Sequence, residues 1–185
     1  MFLTSSRRTV VNALAILLSA SALVAGCSSG GGAAPASAGA DVGGARAGAT
    51  GVPAQAIART TFPAVTTPGT IEVGLVSLAR TGQLAVLTLS WSPHYQQDPG
   101  SGISLYDMFG RTSPSISLVD GKNLKRYVVV EDSQGHDLSP DVVYFKVANN
   151  SSGLASYTFA APPAGARLAV YADARPLFTD VAVTG

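Results

Sequence analysis

From Thr70 onward apolar and polar residues alternate with a period of two, and Gly, Pro, Asn or Asp breaks the alternation about every 8 to 12 residues. In the stretch 84–91, Ala85, Leu87, Leu89 and Trp91 share one face while Thr88 and Ser90 lie on the other. Over 142–148, Val143, Phe145 and Val147 alternate with Tyr144 and Lys146 in the same way and predict a strand, as do Tyr157 and Phe159 with Ser156 and Thr158, and Leu168 and Val170 with Arg167 and Ala169. Further strands are predicted over 71–78, 115–119, 125–131 and 178–183, and Asp120-Gly121-Lys122-Asn123 is a hairpin-turn signal between two of them. One-sided burial of this kind belongs to antiparallel sheets with one face in water. Seven or eight short strands in roughly 115 residues, with no helical period, predict an all-β, immunoglobulin-like antiparallel β-sandwich.

Upstream the pattern changes. Residues 28–69 are mainly Gly, Ala, Ser, Thr, Pro and Val, with only Asp41, Arg46 and Arg59 charged. Side chains this small cannot bury enough apolar area to offset the entropy of ordering the backbone, so the segment is expected to be a disordered tether. A Gly-rich coil of about 40 residues spans roughly 35 Å. The expected organisation is therefore a signal segment at 1–26, a modified N-terminus and tether at 27–69, and a β-sandwich at 70–185.

The segment 1–26 has signal-peptide anatomy: Arg7 and Arg8 form a positive region, and a run of mainly apolar residues follows from Val10 to Ala25. An uncleaved anchor needs about 20 apolar residues, and this run is shorter and contains Asn12. It ends at Val24-Ala25-Gly26-Cys27, which holds the only cysteine of the 185 residues. These four residues resemble a bacterial lipobox, with small residues beside the cleaved bond and an aliphatic side chain at Val24. The resemblance implies cleavage between Gly26 and Cys27, a diacylglyceryl thioether and an amide-linked acyl chain (such as palmitate) on Cys27, and residence on the extracytoplasmic face of a bacterial membrane. Two acyl chains give stable anchoring where one is marginal. Ser6-Arg7-Arg8-Thr9-Val10-Val11 also resembles a twin-arginine motif, and both export routes stay open.

Charge excludes one class of partner. Removing Arg7 and Arg8 from 12 Lys and Arg leaves 10 against 11 Asp and Glu, without the basic stripe a nucleic-acid binder needs. Gly26-Cys27-Ser28-Ser29-Gly30 matches a nucleophile-elbow pattern in letters only, because it lies at the processing site rather than between a strand and a helix. The two histidines, His94 and His136, are too few for a His-rich metal site. His136, among Glu131, Asp132, Asp137 and Asp141, fits no ligand-loop spacing and reads as a solvated turn. Asn149-Asn150-Ser151-Ser152 reads as a plain turn despite its sequons, and Tyr106, Met108 and Phe109 as packing at the sandwich edge. No catalytic residue, metal or cofactor is expected. The longest irregular stretch is 92–104, and its His94, Tyr95, Gln96 and Gln97 form the candidate partner loop.

The stretches 117–127, 132–135 and 158–163, with the closing Pro176-Leu177-Phe178-Thr179-Asp180-Val181-Ala182-Val183, resemble the immunoglobulin-like (telokin-like) domain of secreted actinobacterial lipoproteins over most of 70–185. That resemblance implies a sandwich with its turns and no reactive centre. The expectation is a non-catalytic binding or accessory module of the cell envelope, held by the acyl chains of Cys27 and contacting an envelope protein or glycan. A hydrolase using Ser, His and Asp, or a purely structural envelope component, are the alternatives. Cys27→Ser is expected to abolish lipid labelling and block release of the signal segment; labelling unchanged in that variant would overturn the lipobox reading.

Overall fold

A computed structural model describes residues 55–185, so Val24, Ala25, Gly26, Cys27 and the chain up to residue 54 lie outside the described residues. Ten strands and one helical turn follow one another: β1 (Ala58–Pro63), β2 (Gly69–Thr81), β3 (Leu84–Tyr95), β4 (Ile103–Ser104), α1 (Leu105–Met108), β5 (Ile116–Asp120), β6 (Lys125–Val128), β7 (Lys146–Val147), β8 (Gly153–Ala160), β9 (Arg167–Ala172) and β10 (Arg175–Ala182). One four-stranded sheet has the order β1-β2-β3-β8, the other β10-β9-β5-β6, and β4 pairs with β7 in a two-stranded ribbon. All these pairings are antiparallel. With β2 and β3 joined as a central hairpin, β8 beside β3, and β9 and β6 flanking β5, the order is that of an immunoglobulin-like sandwich.

The inner faces carry the alternation visible in the sequence. Ala85, Leu87, Leu89 and Trp91 of β3 are 0 % exposed and pack with Leu118, Leu168, Val170, Tyr157 and Phe159 in one core. In β2 a bulge between Leu75 and Ser77 adds a residue, so the inward positions shift from Ile71, Val73 and Leu75 to Leu78. Phe109 joins the core edge, with its ring 5.6 Å from Trp91 edge-on and 5.5 Å from Phe62.

The expected element bounds need four corrections. The sandwich begins at Ala58, because β1 pairs with β2 from Ala58 against Leu75 to Pro63 against Thr70, inside the segment expected as tether. Its composition hides this: among these edge residues only Phe62 is buried, capped by the Arg175 guanidinium 4.5 Å above its ring. The strand expected over 125–131 is divided between sheets, since Lys125–Val128 pairs with β5 whereas Val129 bridges to Phe159 of β8. The strand expected over 142–148 shrinks to Lys146–Val147, because Asp141 Oδ1 accepts the amides of Val143 and Tyr144 and turns the chain there. Lastly, residues 105–108 form a helical turn where edge packing alone was expected. Its start is a capping box in which Ser104 Oγ accepts the Asp107 amide (3.1 Å) and Asp107 Oδ2 accepts the Ser104 amide (3.3 Å).

The β5–β6 hairpin forms where its turn signal places it. Asp120 Oδ1 accepts the amides of Lys122 (3.1 Å) and Asn123 (3.0 Å), and Oδ2 accepts Asn123 Nδ2 (2.7 Å). Those bonds to Asn123 hold the Asp120 carboxyl below the usual carboxylate range. The residue as a whole is 2 % exposed, but the carboxylate stands near the domain surface, so hydrogen bonding outweighs desolvation.

The boundary at β1 is testable. A chain beginning at Thr70 is expected to unfold at lower urea concentration than one beginning at Gln55, by about 2 to 3 kcal/mol for the lost burial of Phe62. Equal midpoints would place β1 outside the cooperative unit.

Candidate functional site

The predicted partner loop is shorter than expected. Its first four residues, Ser92 to Tyr95, continue β3, and Ile103 and Ser104 form β4. Tyr95 is corrected outright, being buried at 7 % exposure with its backbone clamped by an amide side chain: Asn149 Oδ1 accepts its N–H (2.8 Å) and Asn149 Nδ2 donates to its carbonyl (3.0 Å). His94 is exposed, and its Nδ1–H donates to Asn150 Oδ1 (3.0 Å), from a residue at φ 59°. The Asn149-Asn150 turn therefore holds the end of β3 in place, a role its sequence alone did not reveal. Gln96 and Gln97 are exposed, so of the four predicted residues His94, Gln96 and Gln97 reach solvent.

A larger concavity lies elsewhere, at the upstream end of β5. A cleft of about 840 Å³ is enclosed by Ser113–Ser117 on one side, Arg126, Val128 and Val129 at the end of β6, and the loop from Gly135 to Val142. Its volume falls within the range of small-molecule sites. Backbone bonds fix the loop: Val130 N–H donates to Thr158 O (2.9 Å), Leu138 N–H to Val130 O (2.8 Å), and Thr158 N–H to Leu138 O (3.0 Å). Asp132 Oδ1 pins the tip by accepting the amides of Gln134 (2.7 Å) and His136 (3.0 Å), and these bonds, the one to His136 foremost, lower its pKa. The wall is thus built by crossing from one sheet to the other, which is why no local motif announced it.

Tyr157 lies at the floor. It is 4 % exposed, it lines the cleft, and its hydroxyl has no hydrogen-bond partner. Burial pushes its pKa far above the ordinary tyrosine value, with a smaller opposing pull from the Trp91 indole, whose Nε1–H also lacks a partner in bonding geometry. The phenol is therefore neutral at physiological pH, able both to donate and to accept. An unpartnered buried hydroxyl costs about 1 to 3 kcal/mol, and this one is closed off from solvent beside the Trp91 indole. Above it, Arg126 Nε donates to Ser117 Oγ (3.1 Å), and Glu131, Asp137 and Asp141 put carboxylates on the rim. Val128 and Val142 supply apolar wall. A second buried hydroxyl without a partner, that of Tyr95, belongs to the β3 end, where burial and the nearby Asp107 carboxylate raise its pKa.

Neither histidine holds a serine. His94 is bonded to Asn150, and His136 Nδ1 lies 3.3 Å from Asp132 Oδ2 as a histidine–carboxylate pair; Ser117 Oγ, on the cleft wall, accepts from Arg126. Among the described residues no three His, Cys, Asp or Glu side chains converge closely enough to hold a metal ion.

No family model, curated protein or solved structure matches the chain. The site rests on its own geometry.

Tyr157→Phe tests the floor of the cleft. Deleting an unpartnered hydroxyl at constant ring volume is expected to leave the urea midpoint unchanged or raise it by about 1 kcal/mol. A clear loss of stability would mean that the hydroxyl is bonded within the folded protein.

Proposed function

We propose that the chain is a lipid-anchored module on the extracytoplasmic face of a bacterial membrane, and that it binds a ligand of the cell envelope without transforming it. The lipobox-like Val24-Ala25-Gly26-Cys27 supports the anchoring, and the resemblance to immunoglobulin-like domains of secreted actinobacterial lipoproteins agrees with it. The observation that carries the binding role is the 840 Å³ cleft and its mixed lining, with Tyr157 among its walls. The Arg126 guanidinium and three carboxylates at the rim offer donors and acceptors together, and the valines supply contact area. Such a lining fits part of an envelope protein or a glycan. Rigid loops on a sandwich are a suitable frame, because they vary without unfolding it.

The binding surface moves accordingly from the 92–104 loop to the cleft. The hydrolase reading retains one supporting feature, the His136–Asp132 pair at the rim. A broad hydrolase screen on the mature protein and its His94→Ala/His136→Ala variant separates the readings, since a histidine-dependent activity would replace binding by catalysis.

Capture from envelope extracts tests the site. The mature lipidated protein is expected to retain a partner that the Arg126→Ala/Tyr157→Phe variant loses at least tenfold, while replacement of His94, Gln96 and Gln97 by Ser leaves capture unchanged. The reverse pattern would return the site to the loop; capture unaffected by either variant would exclude both surfaces.

A further inference from the structure

The end of the sandwich at the downstream limit of β5 carries a different chemistry from the cleft. Three connections meet there: the β2–β3 turn at Gly82 and Gln83, the β5–β6 tip from Gly121 to Leu124, and the β8–β9 connection from Ala161 to Ala166. Ala161 N–H donates to Gln83 O (2.8 Å), and Asp120, Lys122 and Asn123 share a concavity of about 290 Å³ with Pro163–Arg167. Arg80, Lys122, Lys125 and Arg167 belong to this end. Among the described residues two side-chain carboxylates oppose them: Asp120 is consumed by its own turn, and Asp180 is paired with Arg167 at 2.8 Å. Glu131, Asp132, Asp137 and Asp141 all lie in or beside the cleft instead. A domain with a slight acidic excess thus presents one net basic end.

Leu124 tips that end. It is 91 % exposed, the most exposed large apolar side chain described, and adopts φ 52°, a left-handed conformation that a bulky residue rarely takes. The Asp120 bonds hold the preceding residues rigidly, so the leucine is presented and not merely loose. Leu84, 41 % exposed, starts β3 at the same end.

β1 begins opposite Leu75, at the middle of β2, and runs toward Thr70, away from Thr81 and the basic end. Just before it, Ile57 N–H donates to Leu75 O (2.7 Å), and Ala56 lies over Gly74, where a Cβ would come within 2.8 Å of it.

We propose that this end, tipped by Leu124 and edged by Arg80, Lys122, Lys125 and Arg167, lies against anionic lipid headgroups of the membrane in which Cys27 is anchored. Basic side chains close to an anionic surface are attracted with an energy that salt screens, and an apolar tip between them inserts at the headgroup level. The cleft, at the other end of β5, then faces away from the lipid. The inference rests on the proposed anchoring, and its test is built to fail separately.

The mature chain carrying Cys27→Ser, which has no acyl group, is mixed with vesicles of phosphatidylglycerol and phosphatidylcholine, or of phosphatidylcholine alone, and sedimented. Binding is expected only to the anionic vesicles and is expected to fall with added salt. Lys122→Gln and Lys125→Gln are each expected to weaken it roughly fivefold, and Leu124→Ser to weaken it as well. In a Leu124→Trp variant the indole emission is expected to shift to the blue on vesicle addition, a signal the buried Trp91 does not give. Strand-type circular dichroism in each variant shows that folding is intact. Absence of anionic binding, equal binding to neutral vesicles, or binding that survives the double lysine variant would overturn the proposal, as would capture of an acidic protein by this end in preference to vesicles. Lipid labelling of Cys27 in the unaltered protein is read independently, so vesicle binding without labelling would overturn the anchoring alone.

Discussion

Burial of the inward row of β3 is the constraint on which the other elements depend. Ala85, Leu87, Leu89 and Trp91 are wholly removed from water, and they can be so only if a second sheet covers them, because one face of an isolated sheet stays wet. Leu118 of β5 and Leu168 and Val170 of β9 provide the cover. Once the sheets are fixed by these contacts, the hairpin ends fall at the two ends of the sandwich. The connections there need not contribute to the core, and they are where polar and charged groups collect. No disulfide among the described residues reinforces this arrangement, the only cysteine being Cys27. The apolar interface must carry the tertiary structure, aided by the Trp91, Phe109 and Phe62 rings that close its edge.

The sequence made the central strands legible because their side chains answer to a single plane of burial. β3, β5, β8 and β9 were each expected within a few residues of where they lie. Legibility falls at the edges. β1 buries Phe62 alone and is otherwise Ala, Arg, Thr and Pro, so its pairing with β2 leaves almost no trace in composition. Residues 125–131 read as one strand because their alternation does not register a change of sheet between Val128 and Val129. Residues 142–148 alternate well enough to be a strand, yet the Asp141 carboxylate accepts two amides and makes most of the segment a turn. That bond competes locally with strand pairing, as Asp side chains do at turns. The capping box at Ser104 and Asp107 was visible as letters, though it sits in a segment whose aromatic content suggested only packing.

The site was less legible than the fold, for a related reason. The 92–104 stretch combines length with a polar and aromatic set, but Tyr95 is drawn into the core and His94 is held by Asn150, 56 positions away. The cleft is assembled from β5, β6, β8 and the Gly135–Val142 loop, and its floor, Tyr157, reads in sequence as an ordinary inward residue of an alternating strand. Nothing in the local sequence marks a hydroxyl that will be buried without a partner. That property is created by the tertiary arrangement, when the crossing from β6 to β8 opens a gap between the sheets beside it.

The two ends of β5 therefore differ in what they offer an environment. At Ser113–Ser117 the domain is concave and carries carboxylates on its rim; at Asp120 it narrows to a rigid turn bearing an exposed leucine between lysines. Charge of opposite sign at opposite ends gives the domain a direction. A concave acidic site pressed toward anionic headgroups would be repelled and closed off, whereas a basic convex tip would be drawn in. If one end of this domain is to rest on a membrane while the other meets a partner, electrostatics permits only one assignment. It places Leu124 at the lipid and Tyr157 in the cleft that opens away from it.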